Sequence, residues 1–245
     1  MTPSPLKALI VYAHPEPTSF CGALKDAAVE ALTAAGAVCQ VSDLYGEQFN
    51  PVAGRHDFTS VADPTRFHYQ TEQLHAARTN GFAPDLMREQ ARVAQADLYI
   101  WIFPLWWGGM PAILKGWFDR VLAYGFAYAD GKRYESGYFR GRQGILAITT
   151  GGTEERFSFG GSYGDISQVL HGVQHCMLRY LGLEASAPFM AYAVPRLGED
   201  QRKAYLEQWR EQLTQLVQNH AASSSEAAPL PQLTDDAAGA WAGST

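Results

Sequence analysis

Cysteine is scarce in this chain of 245 residues: Cys21, Cys39 and Cys176 are its three, they form no CxxC pair, and they cannot all pair with one another. That is unlike a disulfide-framed secreted domain, and reduced thiols in a cytosolic protein fit better. Positive charge is also short. Against 25 Asp and Glu stand 19 Lys and Arg, giving a net charge of −6, the wrong sign for a surface that tracks phosphates, so nucleic acid is set aside as a partner. No apolar run crosses a bilayer intact. The longest uncharged stretch, Leu98 to Leu114, contains Pro104, Gly108, Gly109 and Pro111, which would free backbone groups where no water can bond them. The N-terminus offers one Lys and the short run Ala8 to Ala13 without a small-residue cleavage site. A cytoplasmic location without membrane insertion is the expectation.

What is present is core material, 47% hydrophobic and 12% aromatic, in a length suited to one large domain. Leu6 to Ala13 reads as a strand buried on both faces, and apolar residues at helical spacing from Phe20 to Ala35 follow it, with Thr18 or Ser19 as cap and Gly36 as stop. Ala37 to Ser42 is a more polar edge strand. From Tyr45 to Leu86 no period persists, which marks 45–86 as an irregular excursion. Met87 to Ala96 reads as a helix, Leu98 to Phe103 as the central strand, and Pro111 opens a broadly apolar helix. Gly144 to Thr149 is a further strand, Ile166 to Leu181 a helix, Leu183 to Val194 carries a fifth strand, and Asp200 to Val217 is the last helix. Such alternation implies a doubly wound α/β domain over 1–220, a five-stranded parallel sheet of flavodoxin-like order 2-1-3-4-5 with helices on both faces. Beyond His220, Ala, Ser, Pro and Gly dominate, so 221–245 reads as a flexible tail.

In an open parallel sheet, ligands bind beyond the carboxyl ends of the strands where the order reverses. Three loops meet there. The first, His14 to Phe20, runs into a helix N-terminus, which favours an anion such as phosphate. It lacks both GxxxxGK[ST] and GxGxxG, so His14 and Thr18 are the candidate donors; locally, they could equally close a turn and cap a helix. The second, Pro104 to Gly109, sets Trp106 and Trp107 beside two glycines, suited to a flat ring. The third, Thr149 to Gly164, offers small residues and successive amides for the polar edge of that ring. Neither a nucleophilic triad nor a carboxylate pair is suggested by spacing.

The segments KALIVYAHPEPTSF, VSDLYGEQFNP, FPLWWGGMPAILKGWFDRV, GFAYADG, ITTGGT and SYGD, in this order, resemble the NAD(P)H:quinone oxidoreductase family of DT-diaphorase type over about residues 5 to 220. The resemblance implies a flavodoxin-like FAD homodimer, with FAD favoured over FMN, that moves a hydride from NAD(P)H to quinones in a two-electron ping-pong cycle. By the same resemblance, His14, Thr18, Phe20 and Cys21 hold the pyrophosphate and adjoining groups. Pro104, Leu105, Trp106, Trp107 and Gly108 pack on the isoalloxazine, Thr149, Thr150, Gly151 and Gly152 meet its pyrimidine side, and Val194, Arg202 and Leu206 line the adenine end. Phe126, Ala127 and Tyr128 match the substrate segment, which in the family reaches the partner subunit's flavin.

The chain departs from this pattern in three places. Where the family has a charge-stabilising tyrosine and histidine, it has Phe157 and Tyr163, so Tyr163 and the Gly151-Gly152 amides are expected to share the reduced flavin's charge. His68 replaces a polar amide near the adenine. His171 and His175 lie four apart, but Arg179 stands where some zinc-binding relatives have a further histidine, so no metal is expected. Glu154, Glu155 and Arg156 read as solvated loop surface. The competing readings are a nitro-, azo- or flavin reductase of the same fold, and a flavin-bearing regulatory subunit of a membrane ion-efflux system.

Overall fold

The computed structural model describes residues 4–223. The tail expected over 221–245 lies outside the described residues, apart from the three that complete the last helix. Strands β1 (Lys7–Tyr12), β2 (Val38–Asp43), β3 (Leu98–Pro104) and β4 (Gln143–Thr149) are parallel in the order 2-1-3-4. All of β3 is buried, as its unbroken apolar run requires at the centre of a two-sided sheet. Beyond β4 the edge is made in two pieces, β5 (Glu184–Ala185) and β6 (Phe189–Ala191), both paired with β4. Pro188, which has no N–H to give a ladder, lies in the break. The order is therefore the expected 2-1-3-4-5, with its fifth position split into a fifth and a sixth strand.

Alternating side chains of β1 enter two separate cores. Leu9 and Val11 join Trp101, Phe103 and Trp117 on one face, whereas Ile10 and Tyr12 join Ile100, Ile102 and Leu24 on the other. The second face is covered by α1 (Phe20–Ala34) and α7 (Glu199–Ser223), which are linked by a 3.0 Å bond from the buried Trp209 indole to the Leu24 carbonyl. Of the two cap candidates for α1, the structure uses Ser19, whose hydroxyl accepts from the Gly22 amide at 3.1 Å. Among the described residues, no helix is long and apolar enough to cross a membrane.

The excursion is more regular than its composition predicts. It contains α2 (Tyr69–Thr79), and α3 (Pro84–Gln95) begins three residues earlier than Met87, with Pro84 in its first turn. The residues α2 buries are Glu72, Gln73 and Ala76, so the helix leaves no apolar period to read. Buried polar bonds replace apolar packing here. Asp57, fully buried, accepts from Arg120 of α4 (Ala112–Val121) at 2.7 and 2.9 Å and from the Tyr69 hydroxyl at 2.5 Å. Arg120 also reaches Asp85 at 3.2 Å and the Asn50 carbonyl at 2.5 Å. Nearby, buried Glu89 collects Ser42, Trp117 and Arg92 at 2.6–2.8 Å. Gly116 lets Pro51 cross α4, where any side chain would strike Pro51 backbone.

The helix expected over Ile166 to Leu181 is broken. α5 (Ile166–Val169) and α6 (His171–Val173) give way to a π turn, Gln174–Leu178, and a 3-10 turn, Arg179–Leu181. Gly172 and the β-branched Val169 and Val173 are weak helix formers, and Gly182 at φ +94° stops the run.

Candidate functional site

A cleft of about 400 Å³ opens at the carboxyl ends of β1, β3 and β4, where the strand order reverses. It gathers His14, Thr18, Phe20, Cys21, Pro104, Leu105, Trp106, Thr149, Thr150, Gly151, Val194 and Arg202, and adds Ser19, expected there only as a helix cap, and Pro195, which the sequence did not suggest. Trp107, Gly108, Gly152, Phe157, Tyr163 and Leu206, also expected at the site, are not among the residues that line the cleft.

In the first loop, the His14 ring turns Nδ1 back on its own turn, 3.0 Å from the Glu16 amide nitrogen and 3.2 Å from the Glu16 carbonyl oxygen. Thr18 spends both its amide and its hydroxyl on the Glu16 carboxylate, at 2.9 and 2.7 Å, and those bonds hold the Glu16 carboxyl below its ordinary range. The donors left at the start of α1 are the Phe20 and Cys21 amides, for which no acceptor stands among the described residues. Cys21 is buried with Sγ 3.2 Å from Thr149 Oγ1, and burial pushes its thiol up to about 11. It is therefore a neutral packing group and no nucleophile.

The second loop is a tight turn in which Trp106 and Gly109 exchange backbone bonds of 3.0 and 2.9 Å. Both central residues are left-handed, Trp107 at φ +52° and Gly108 at φ +71°, the pairing a type I′ turn requires. The turn leaves the Trp106 indole on the cleft, its ring centroid 6.4 Å from His14, and throws the Trp107 indole fully into solvent. A bulky residue rarely holds this backbone conformation, and the mutual Trp106–Gly109 bonds are what impose it.

The third loop is pinned. Thr150 Oγ1 accepts from the Gly152 amide at 2.8 Å and donates to the Gly152 carbonyl at 2.9 Å, while the Arg196 guanidinium donates to the Gly151 carbonyl. The peptide between the two glycines is thus tied at both its oxygen and its N–H. The expected sharing of charge by both amides does not match this arrangement, because only the Gly151 N–H stays unpaired among the described residues. Phe157 and Tyr163 press on Gly152, where a Cβ would meet their ring carbons at 2.8 and 2.7 Å. Arg156 is exposed, as expected of loop surface, and from there donates to the Tyr163 hydroxyl oxygen at 3.1 Å. Neither arginine carried a local signal, since each reaches its partner only through the folded path of the loop.

At the far end, Arg202 donates to the Val194 carbonyl at 3.3 Å, and half-buried Leu206 packs instead against the core beneath α7. Phe126, Ala127 and Tyr128 are not brought to this cleft. Ala127 is buried, and Tyr128 lines a second groove of about 470 Å³ with Tyr69, Phe118, Leu122, Met177 and Tyr180. His68 caps α2, with Nδ1 2.7 Å from Thr71 Oγ1. The His171 and His175 rings stack 5.0 Å apart, and no group of three or more metal-ligand side chains occurs among the described residues.

The sequence profile of the flavodoxin-like fold matches residues 6–216. The chain is 42% identical over 208 residues to NAD(P)H dehydrogenase [quinone] 1 of Cavia porcellus, covering 84% of this chain and 76% of that protein. It is also 42% identical over 208 residues to ribosyldihydronicotinamide dehydrogenase [quinone] of Pongo abelii, covering 84% and 90%. Among solved structures, a Klebsiella pneumoniae protein assigned as a quinone reductase superposes with a TM-score of 0.82 at 36% identity, covering 86% of this chain and 85% of that one. With its 2-1-3-4 parallel order and its cleft at the reversal point, the chain belongs to the NAD(P)H dehydrogenase (quinone) family of flavodoxin-like oxidoreductases.

Proposed function

We propose that the chain binds FAD in this cleft and carries two electrons from NAD(P)H to quinones by a ping-pong mechanism, as a cytoplasmic homodimer. The observation that carries the reading is the convergence in one cleft of a flat aromatic wall, an unpaired backbone donor and an anion-binding helix start. Those residues fit a dinucleotide flavin part by part. The Trp106 indole and the Gly151 N–H suit the ring and its polar edge. The His14 ring and the Phe20 and Cys21 amides suit the pyrophosphate, aided by the positive end of α1. Val194, Pro195 and Arg202, which also line the cleft, would meet an adenine, a group that FMN lacks.

Bound FAD would supply the two-electron hydride chemistry that no side chain here can provide. The protein's part is placement. Trp106 fixes the plane against which flat molecules stack, and the pinned Gly151–Gly152 peptide keeps one amide aimed without reorganisation. Phe126 to Tyr128 lie away from the cleft of their own chain, so they could close a substrate slot only from a second copy.

The test is purification, an absorption spectrum and release of the bound group by denaturation. A flavin spectrum with FAD in the released fraction is expected, followed by turnover with NAD(P)H and quinones in a panel that includes ribosyldihydronicotinamide as donor and nitro- and azo-aromatics as acceptors. A colourless protein that takes up neither FAD nor FMN would overturn the proposal. A yellow protein inert towards quinones but active on azo or nitro compounds would replace the acceptor alone.

A further inference from the structure

We infer that Arg156 is a positioning residue for charge at the flavin site, acting through the Tyr163 hydroxyl. The inference rests on the FAD reading above. The loop after β4 doubles back so that the Tyr163 amide donates to the Arg156 carbonyl at 2.9 Å, and Gly161 packs against the Glu155 and Arg156 carbonyls where no Cβ could fit. The same fold brings the Arg156 guanidinium to the Tyr163 oxygen at 3.1 Å, with its carbon 5.6 Å from the ring centroid. A guanidinium has donors only, so this bond occupies a lone pair of the phenol oxygen and leaves the phenol proton to be given elsewhere. Tyr163 is itself held against Gly152, next to the Gly151 that lines the cleft.

The rest of the loop has little else to offer. Phe157 has no donor, and the Gly152 N–H is spent on Thr150. Each hydride taken from NAD(P)H releases NAD(P)+ and leaves one more negative charge on the bound flavin. Of the loop's donors, the Gly151 N–H lines the cleft and Tyr163 packs beside it against Gly152, and a cationic donor behind the Tyr163 hydroxyl makes it a stronger donor towards that charge. Arg156 thereby favours the reduced flavin over the oxidised one.

The test is the midpoint potential of the FAD-loaded full chain, measured anaerobically, in wild type, Arg156→Gln, Arg156→Lys, Tyr163→Phe and the double variant Arg156→Gln/Tyr163→Phe. Arg156→Gln is expected to weaken binding of reduced relative to oxidised FAD about three- to tenfold, a fall of about 15–30 mV for a two-electron couple. Arg156→Lys should recover more than half of it, and Arg156→Gln should change nothing further once Tyr163 is Phe. An unchanged potential in Arg156→Gln, or the full drop persisting in the Tyr163→Phe background, overturns the role of Arg156. A wild-type chain that takes up no flavin instead overturns the function on which it rests.

Discussion

Where the excursion packs on α3 and α4, Asp57 and Arg120 meet with both side chains withdrawn from water, and Glu89 is as deeply buried with three donors around it. Around the cleft, the loops are shaped by short bonds of Thr150, Ser19 and the Trp106–Gly109 pair, and the charges that join them, Glu16, Arg156 and Arg196, are not buried. One region is thus held by desolvated charges that fail together, because removing one partner strands the other. The other is held by several small bonds, each worth about 0.5–1.5 kcal/mol, so that losing one moves a loop without unfolding the domain. The molecule separates what it needs for stability from what it needs to shape a binding surface.

The strongest way to break that contrast is Arg120→Met. It leaves Asp57 buried without its cation and should cost about 3–5 kcal/mol by chemical denaturation. Converting both partners to apolar residues of similar volume should cost less than either single change. Equal losses for the single and paired variants would show that the pair is not what secures the excursion.

The same contrast explains what the sequence disclosed. The strand from Leu98 was legible because each of its residues is buried, and three loops could be placed at one end because parallel crossovers leave them no alternative. Helix α2 was not, since the face it buries carries Glu72 and Gln73. Asp57 and Arg120 are 63 positions apart and share no local motif. At the cleft, the loop residues were legible as types, but not their internal partners. Glu16 captures Thr18, Thr150 captures Gly152, and Arg156 reaches Tyr163, all short-range bonds set by turns whose path no periodicity encodes.

Cys21 sharpens the comparison from the cleft side. Its folded thiol lies near 11, above the ordinary value of 9.0, so the stability it contributes is intact below pH 9 and is lost as pH climbs towards 11. By that pH the loss should reach about 2–3 kcal/mol, and Cys21→Ala should flatten that part of the alkaline slope. An alkaline denaturation profile identical in Cys21→Ala and wild type would contradict it. In alkylation at pH 8, Cys176, which is exposed, should react while Cys21 does not.

Two glycines subject the two regions to the same steric insult. A methyl on Gly116 would strike the Pro51 carbonyl and one on Gly22 the Pro17 carbonyl, in each case backbone that must move. Both sites are helical, so alanine brings a gain of about 1 kcal/mol in propensity that partly offsets about 1–3 kcal/mol of overpacking. In Gly116→Ala the residue that must give way is anchored through Asn50, whose carbonyl is bonded to Arg120, so the strain reaches the buried pair and should appear as lost stability. In Gly22→Ala the residue that must give way belongs to the loop of His14 and Thr18, which has no buried charge to disturb. Its net stability change should stay within about 1 kcal/mol while FAD affinity, read by fluorescence quenching, falls about tenfold or more. The reverse outcome, affinity kept and stability lost in Gly22→Ala, would mean that the first loop is a structural element of the domain and not a surface shaped for a ligand.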